Sequence, residues 1–150
     1  MKSIKVFCPG SVANISCGFD ILGLCLDNVG DEIIVTQTKK KGIELEVFGD
    51  YVVTKNINKN AASVSALSLL KSFKPIDFGF HISVNKKIKP GSGIGSSAAS
   101  SAGSVFAINE LLDRPFTNQE LIPFAAEGEY ACTNSYLSLI HISEPTRLTS

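Results

Sequence analysis

Apolar and polar residues alternate along the segment 78–84. The apolar positions are Phe78, Phe80, Ile82 and Val84, and Gly79, His81 and Ser83 lie between them. A period of two predicts a half-buried strand with His81 on its polar face, where we assign it no role. Apolar runs predict further strands over residues 4–7, 21–26, 32–37 and 43–48. Turn residues at 27–31 predict that the 21–26 and 32–37 strands form a hairpin.

A helical period recurs in three other segments. Apolar residues at a spacing of three, Val64, Leu67, Leu70 and Phe73, predict a helix over 61–73 that packs on a sheet. A second helix is predicted over 97–112, with small residues in its first turns and Pro115 beyond its end. Thr117 and Glu120 have the spacing of a capping box and predict a third helix, with Pro123 in its first turn. Helices interleaved with strands, without internal repeats, predict an α+β fold.

The composition is that of one soluble globular domain. The chain has 150 residues, 44% hydrophobic and 19% charged. No apolar stretch approaches the roughly 20 residues of a membrane span, and the N-terminus does not resemble a signal peptide, so a cytoplasmic location is expected. Fourteen basic residues balance fourteen acidic ones, so we expect neither nucleic acid nor a membrane as a partner. The four cysteines, Cys8, Cys17, Cys25 and Cys132, lack CxxC spacing, which argues against a zinc site or a disulfide framework.

The C-terminal residues resemble something other than a protein segment. Residues 137–147 read LSLIHISEPTR, which matches the translation of a transposase sequencing adapter at eleven consecutive positions. We therefore expect the genuine polypeptide of this chain to end near Tyr136, and His141 is left out of the search for catalytic groups. The expected organisation is an incomplete N-terminal domain over 1–136, followed by an adapter-derived segment over 137–150.

A glycine-serine segment between the 78–84 strand and the second helix has the composition of an anion site. Residues 90–100 read PGSGIGSSAAS. Glycines accept positive φ and leave room for backbone N–H groups to converge on phosphate oxygens at a helix N-terminus. Ser96 stands where a Walker loop needs lysine and where GxGxxG needs its last glycine, so neither a P-loop NTPase nor a Rossmann dehydrogenase is favoured. A flexible turn before a helix is the alternative.

A second motif, in the N-terminal segment, bears on the function of that loop. Residues 9–24 read PGSVANISCGFDILGL, and they resemble the first motif of the homoserine kinases, a branch of the GHMP small-molecule kinases. The segment 90–99 is similar to the phosphate-binding second motif of the same family. The resemblance covers residues 4–136 and implies a ribosomal-protein-S5-like N-terminal domain. It also implies ATP and Mg²⁺ as cofactors and transfer of phosphate to the hydroxyl of L-homoserine, a step of threonine biosynthesis.

The resemblance also assigns roles to individual residues. Asn14 and Asp20 match the groups that bind the amino-acid substrate, with Asp20 suited to its ammonium group. The residues that match the nucleotide phosphate loop are Pro90, Gly91, Ser92, Gly93, Ile94, Gly95, Ser96 and Ser97. Ser97 and Glu129 match the Mg²⁺ ligands and are the expected catalytic residues, with Glu127 as runner-up to Glu129. Asn60 and Lys86 match positions near the adenine pocket.

The chain also departs from the family pattern. After Tyr136 such kinases continue with a His-x-Asp-Asn element, where this chain reads Leu137-Ser-Leu-Ile. The family's second α+β domain is absent as well, so we expect the truncated chain to be inactive. Two alternatives stay open: a GHMP kinase for another small alcohol, and a non-catalytic nucleotide-binding module. The sequence does not determine the oligomeric state, and a homodimer of the intact protein stays open.

Overall fold

A computed structural model describes residues 2–13, 23–92 and 95–133 of the chain. Its strands are β1 (Ser3–Ala13), β2 (Gly23–Thr38), β3 (Gly42–Gly49) and β4 (Gly79–Lys86). Its helices are α1 (Ala61–Lys71), α2 (Ser96–Leu111) and α3 (Asn118–Thr133). The α+β class expected from the sequence is confirmed. Within the described ranges, no helix is long and apolar enough to span a bilayer.

The four strands form one mixed sheet in the order β1-β2-β4-β3. The β1–β2 and β2–β4 pairs are antiparallel, whereas β3 and β4 are parallel. Parallel neighbours need a crossover connection, and the segment that contains α1 supplies it between β3 and β4. β4 is therefore a central strand, and the loop that follows it leads from the middle of the sheet into α2.

The two faces of the sheet differ as the alternation in β4 predicts. Phe80, Ile82 and Val84 are buried in the core with Ile33 and Val35 of β2. On the opposite face polar side chains pair across strands. The pairs are His81 Nδ1 with Glu44 at 3.5 Å, Ser83 with Glu46 at 3.0 Å, and Lys5 with Glu32 at 2.6 Å. His81 thus lies on the polar face, as predicted.

The predicted hairpin at residues 27–31 is wrong. Residues 23–26 and 32–37 both belong to the continuous β2, which pairs with β1 on either side of residues 26–29, and residues 21 and 22 lie outside the described residues. The turn residues instead form an irregularity in the ladder, where the register shifts between Pro9 and Ser11 and Asn28 adopts a φ of 60°. Proline cannot donate a ladder hydrogen bond, and it is found at bulges for that reason. Asp31, at the end of this segment, points into the fold instead of forming a turn.

The helices pack against each other through small residues. We predicted that the Val64 face of α1 packs on the sheet, but α1 lies mainly against α2 and α3, and the face that is fully buried carries Ala62, Ala66 and Leu69. Small side chains let helix backbones approach closely. This explains why α1 packs against α2 and α3 through its alanine face and not through the face with the larger apolar side chains.

The capping box at the start of α3 is confirmed. The Thr117 N–H donates to Glu120 at 2.9 Å, and the Glu120 N–H donates to Thr117 Oγ1 at 3.2 Å. Pro123 lies in the second helical turn instead of the first, because the helix already begins at Asn118.

Candidate functional site

The glycine-serine loop connects the central strand β4 to α2. Gly91 and Gly95 have φ angles of 79° and 75°, in the left-handed region that favours glycine. A Cβ atom at Gly91 would meet nothing within 4 Å, so conformation, not lack of space, requires glycine there. Gly93 and Ile94, also assigned to the phosphate loop, lie outside the described residues.

The N-terminus of α2 lies at the end of this loop. Its N-cap is Gly95, which offers no side chain to the first-turn N–H groups. The hydrogen bond from Ala99 N to Gly95 O, at 2.9 Å, closes the first helical turn. The N–H groups ahead of it have no intrahelical acceptor, and together with the helix dipole they favour an anion. The local geometry therefore suits the phosphate contact that the sequence predicts for Ser96 and its neighbours.

Ser97 and Glu129 are brought together at this helix end. The Ser97 hydroxyl donates a hydrogen bond to Glu129 Oε2, which joins the start of α2 to α3. Glu129 is buried, with 4% of its surface exposed, whereas Glu127 is exposed. The two residues that the family resemblance implied, 32 positions apart, are thus in contact in the fold, and the alternative residue Glu127 faces solvent.

The chemistry of this pair fits Mg²⁺ shared with a nucleotide. Both groups present oxygen atoms, which Mg²⁺ prefers, and such ions usually take one or two protein ligands and complete their shell with phosphates and water. No group of three or more His, Cys, Asp or Glu side chains within the described ranges could hold a metal by itself.

Close helix packing places Glu129 beside Ser97. The preceding residue, Gly128, lies where α3 meets both other helices, and a Cβ atom there would overlap the Ala61 carbonyl oxygen and come within 2.6 Å of Ser101 Oγ. Ser101 Oγ itself donates to the Ala61 carbonyl at 3.3 Å. Glycine at 128 therefore lets α3 approach α1 and α2 closely enough for Glu129 to reach the N-terminus of α2.

The Lys86 ammonium group is buried below the loop. It donates to Asp31 Oδ2 at 2.5 Å, to Ser96 Oγ at 2.6 Å and to Ser100 Oγ at 3.2 Å. Only 3% of the Lys86 side chain is exposed. The Ser96 carbonyl oxygen lies within 3.4 Å as a fourth acceptor, so the three N–H bonds of this ammonium group are all taken up by protein oxygens and none is left for adenine in this conformation. The assignment of Lys86 to the adenine pocket stays a prediction.

Cys8 lies beside this ion pair on the buried face of the sheet. The pKa of its thiol is raised from 9.0 to about 12, chiefly by burial and to a smaller extent by the Asp31 charge, and the Lys86 charge partly opposes this rise. A thiol with such a pKa is protonated and unreactive at neutral pH. Cys8 is accordingly a free, buried thiol.

Asn60 is the N-cap residue of α1. Its Oδ1 accepts the Ala62 N–H at 2.9 Å as an N-cap, and its Nδ2 donates to the Thr54 carbonyl at 2.8 Å. Asparagine is among the preferred N-cap residues for this reason. Its assignment to the adenine pocket also stays a prediction.

The predicted substrate residues Asn14 and Asp20 lie outside the described residues. Conversely, the sequence did not identify Asp31 and Ser100 as partners of Lys86. Asp31 was interpreted as a turn residue. Asp31 and Lys86 are 55 positions apart, and no local pattern pairs them.

Comparison with known proteins identifies the class. Residues 56–139 match the N-terminal domain of the GHMP kinases, which is more than half of the chain, so the chain belongs to the GHMP kinase family. Within that family, the homoserine kinase of Methanococcus maripaludis is 43% identical over 131 residues, which cover 86% of this chain and 43% of that protein.

Solved structures agree with this placement. The crystal structure of homoserine kinase from Cytophaga hutchinsonii has a TM-score of 0.82 and 45% identity, and the match covers 90% of this chain and 44% of that one. The mevalonate kinase of Methanococcus jannaschii, 19% identical with a TM-score of 0.64, shares the fold. The chain spans about half the length of the curated relatives it matches.

Proposed function

We propose that this chain is the ATP-binding part of a homoserine kinase, which transfers the γ-phosphoryl group of ATP to L-homoserine and forms O-phospho-L-homoserine in threonine biosynthesis. The observation that carries the proposal is the contact between Ser97 and Glu129 at the open N-terminus of α2. The likeness to homoserine kinases at 43% and 45% identity supports the choice of substrate.

Catalysis would consist of positioning and charge stabilisation. The substrate hydroxyl attacks the γ-phosphorus, the bond to the ADP oxygen breaks, and the hydroxyl proton is released, so no protein nucleophile is required. Backbone N–H groups of the loop and of the first α2 turn hold the phosphates, and Asn14 with Asp20 aligns homoserine. Ser97 and Glu129 would hold Mg²⁺, which neutralises charge on the phosphates when it is bound.

The proposal includes a domain organisation. Residues 1–136 form an N-terminal GHMP domain, a second α+β domain completes the site, and residues 137–150 derive from an adapter and take no part in it. We also propose a cytoplasmic location, because the phosphate donor is ATP.

A substrate panel on the full-length gene product tests the function. L-homoserine, D-galactose and mevalonate would each be supplied with MgATP, ADP release measured, and the product identified by ³¹P NMR. Of the three alcohols, we expect only homoserine to cause ADP release, and we expect its product to give a phosphomonoester signal. Turnover with another alcohol would assign a different GHMP kinase, and ATP binding without turnover would assign a non-catalytic module.

A further inference from the structure

A buried cluster below the loop is not accounted for by phosphate or metal binding. Lys86 at the end of β4 pairs with Asp31 of β2, and both side chains are almost fully buried. The same ammonium group reaches Ser96 and Ser100 in the first turns of α2. Three elements that surround the loop therefore meet at one cation.

The two members of the pair hold opposite ends of the loop. Asp31 Oδ1 accepts the N–H groups of Lys87 and Ile88, at 2.6 and 2.9 Å, where the chain leaves β4. Lys86 binds Ser96, where the chain enters α2. Since Asp31 and Lys86 are bonded to each other, the entry and exit of the segment 87–95 are tied together.

The cluster also sets the rotation of α2 about its axis. Ser96 and Ser100 are four residues apart and share one helix face, which Lys86 holds towards the sheet. Ser97 follows Ser96 by about 100° around the helix, as 3.6 residues per turn require. That rotation turns Ser97 away from Lys86 and towards Glu129 on α3.

We propose that Asp31 and Lys86 are positioning residues, which fix the span of the phosphate loop and the rotation of α2 so that Ser97 meets Glu129. This rests on the proposed function in that the loop must bind ATP. A purely stabilising role is the competing explanation. Replacing a buried ion pair by neutral residues of similar volume is often tolerated for stability, but methionine cannot donate to Ser96. A variant that replaces both Asp31 and Lys86 by neutral residues should therefore recover stability without recovering its affinity for the nucleotide.

The test compares Lys86→Met with the double variant Asp31→Asn/Lys86→Met in the full-length gene product. Lys86→Met leaves Asp31 buried without its counter-ion, so its melting temperature should fall. The double variant removes both charges, and the side-chain amide introduced at position 31 keeps an oxygen for the Lys87 and Ile88 N–H groups, so most of that loss should return. The Kd for a fluorescent ATP analogue with Mg²⁺ should nevertheless stay about tenfold or more above that of the wild type in both variants, because the charge-assisted bond to Ser96 is gone.

Two further variants make the result specific. Ser83→Ala removes a side-chain hydrogen bond from the opposite face of β4, so it should lower stability and leave the Kd unchanged. Ser100→Ala removes one acceptor of Lys86 without uncovering a charge, and it should weaken nucleotide binding even if Lys86→Met does not fold. A double variant of recovered stability with the wild-type Kd would overturn the positioning role and leave the proposed function standing. A wild-type protein that binds no ATP would overturn both.

Discussion

Gly128 of α3 packs directly against the backbone carbonyl of Ala61 in α1, with no side chain between the two helices. This contact bears on the site because Glu129 is the next residue and meets Ser97. Glycine is therefore required at position 128 because it has no side chain to hold α3 and α1 apart, and not because of its conformational freedom.

We predict that Gly128→Ala displaces α3 and separates Glu129 from Ser97. The added methyl overlaps backbone, so stability should fall by about 1–3 kcal/mol, as in other overpacked cores. The gain in ATP affinity that Mg²⁺ provides should fall as well, measured as the ratio of Kd values with and without the metal. Gly79→Ala is the matched control, because its methyl also overlaps backbone, the carbonyl oxygens of Lys40 and Gly42, but at the end of β4 opposite to Lys86. An unchanged ratio in Gly128→Ala would show that α3 does not need this close approach.

Asp20→Asn should affect the substrate and not the nucleotide. We expect homoserine to bind more weakly by roughly 2–3 kcal/mol, the range for losing a charge-assisted hydrogen bond to its ammonium group. The affinity for ATP should stay close to that of the wild type. Equal losses for both ligands, measured by calorimetry on the full-length protein, would identify Asp20 as a structural residue.

The buried Cys8 thiol predicts a dependence of stability on alkaline pH. Its pKa is raised in the folded state to about 12 from 9.0, so between these values the unfolded chain loses a proton that the folded chain keeps. The free energy of unfolding should therefore decrease with rising pH, by up to about 1.4 kcal/mol per pH unit from this group. Well below the unfolded pKa of 9.0 the contribution of the thiol is constant.

Urea unfolding of the wild type and of Cys8→Ala at about pH 8, 9.5 and 10.5 measures this effect. Other groups titrate alike in both proteins, so the difference between their slopes isolates the thiol. Parallel slopes would mean that Cys8 ionises as readily in the fold as in the unfolded chain.

The features that were predictable from sequence are local. Alternation in β4, the capping box of Thr117 and Glu120, and the glycines of the loop each depend on neighbouring residues, and each is found in the structure. The hairpin at 27–31 failed because turn residues also fit a bulge, and the choice depends on pairing with β1, which is not local. The Asp31–Lys86 pair joins distant positions and carries no sequence signal. Ser97 and Glu129 could be paired beforehand only through a family resemblance.

The central claim is that Ser97 and Glu129 together hold Mg²⁺ on the phosphates of ATP, and the kcat of two single variants of the full-length enzyme tests it most directly. With homoserine, ATP and Mg²⁺ saturating, we predict that Ser97→Ala and Glu129→Gln each lower kcat by about 10² or more, because each removes a ligand from the charge-stabilising site. Glu127→Gln, on the exposed side of α3, should retain nearly the full rate and serves as the control. Near-normal turnover in either Ser97→Ala or Glu129→Gln would contradict the metal assignment.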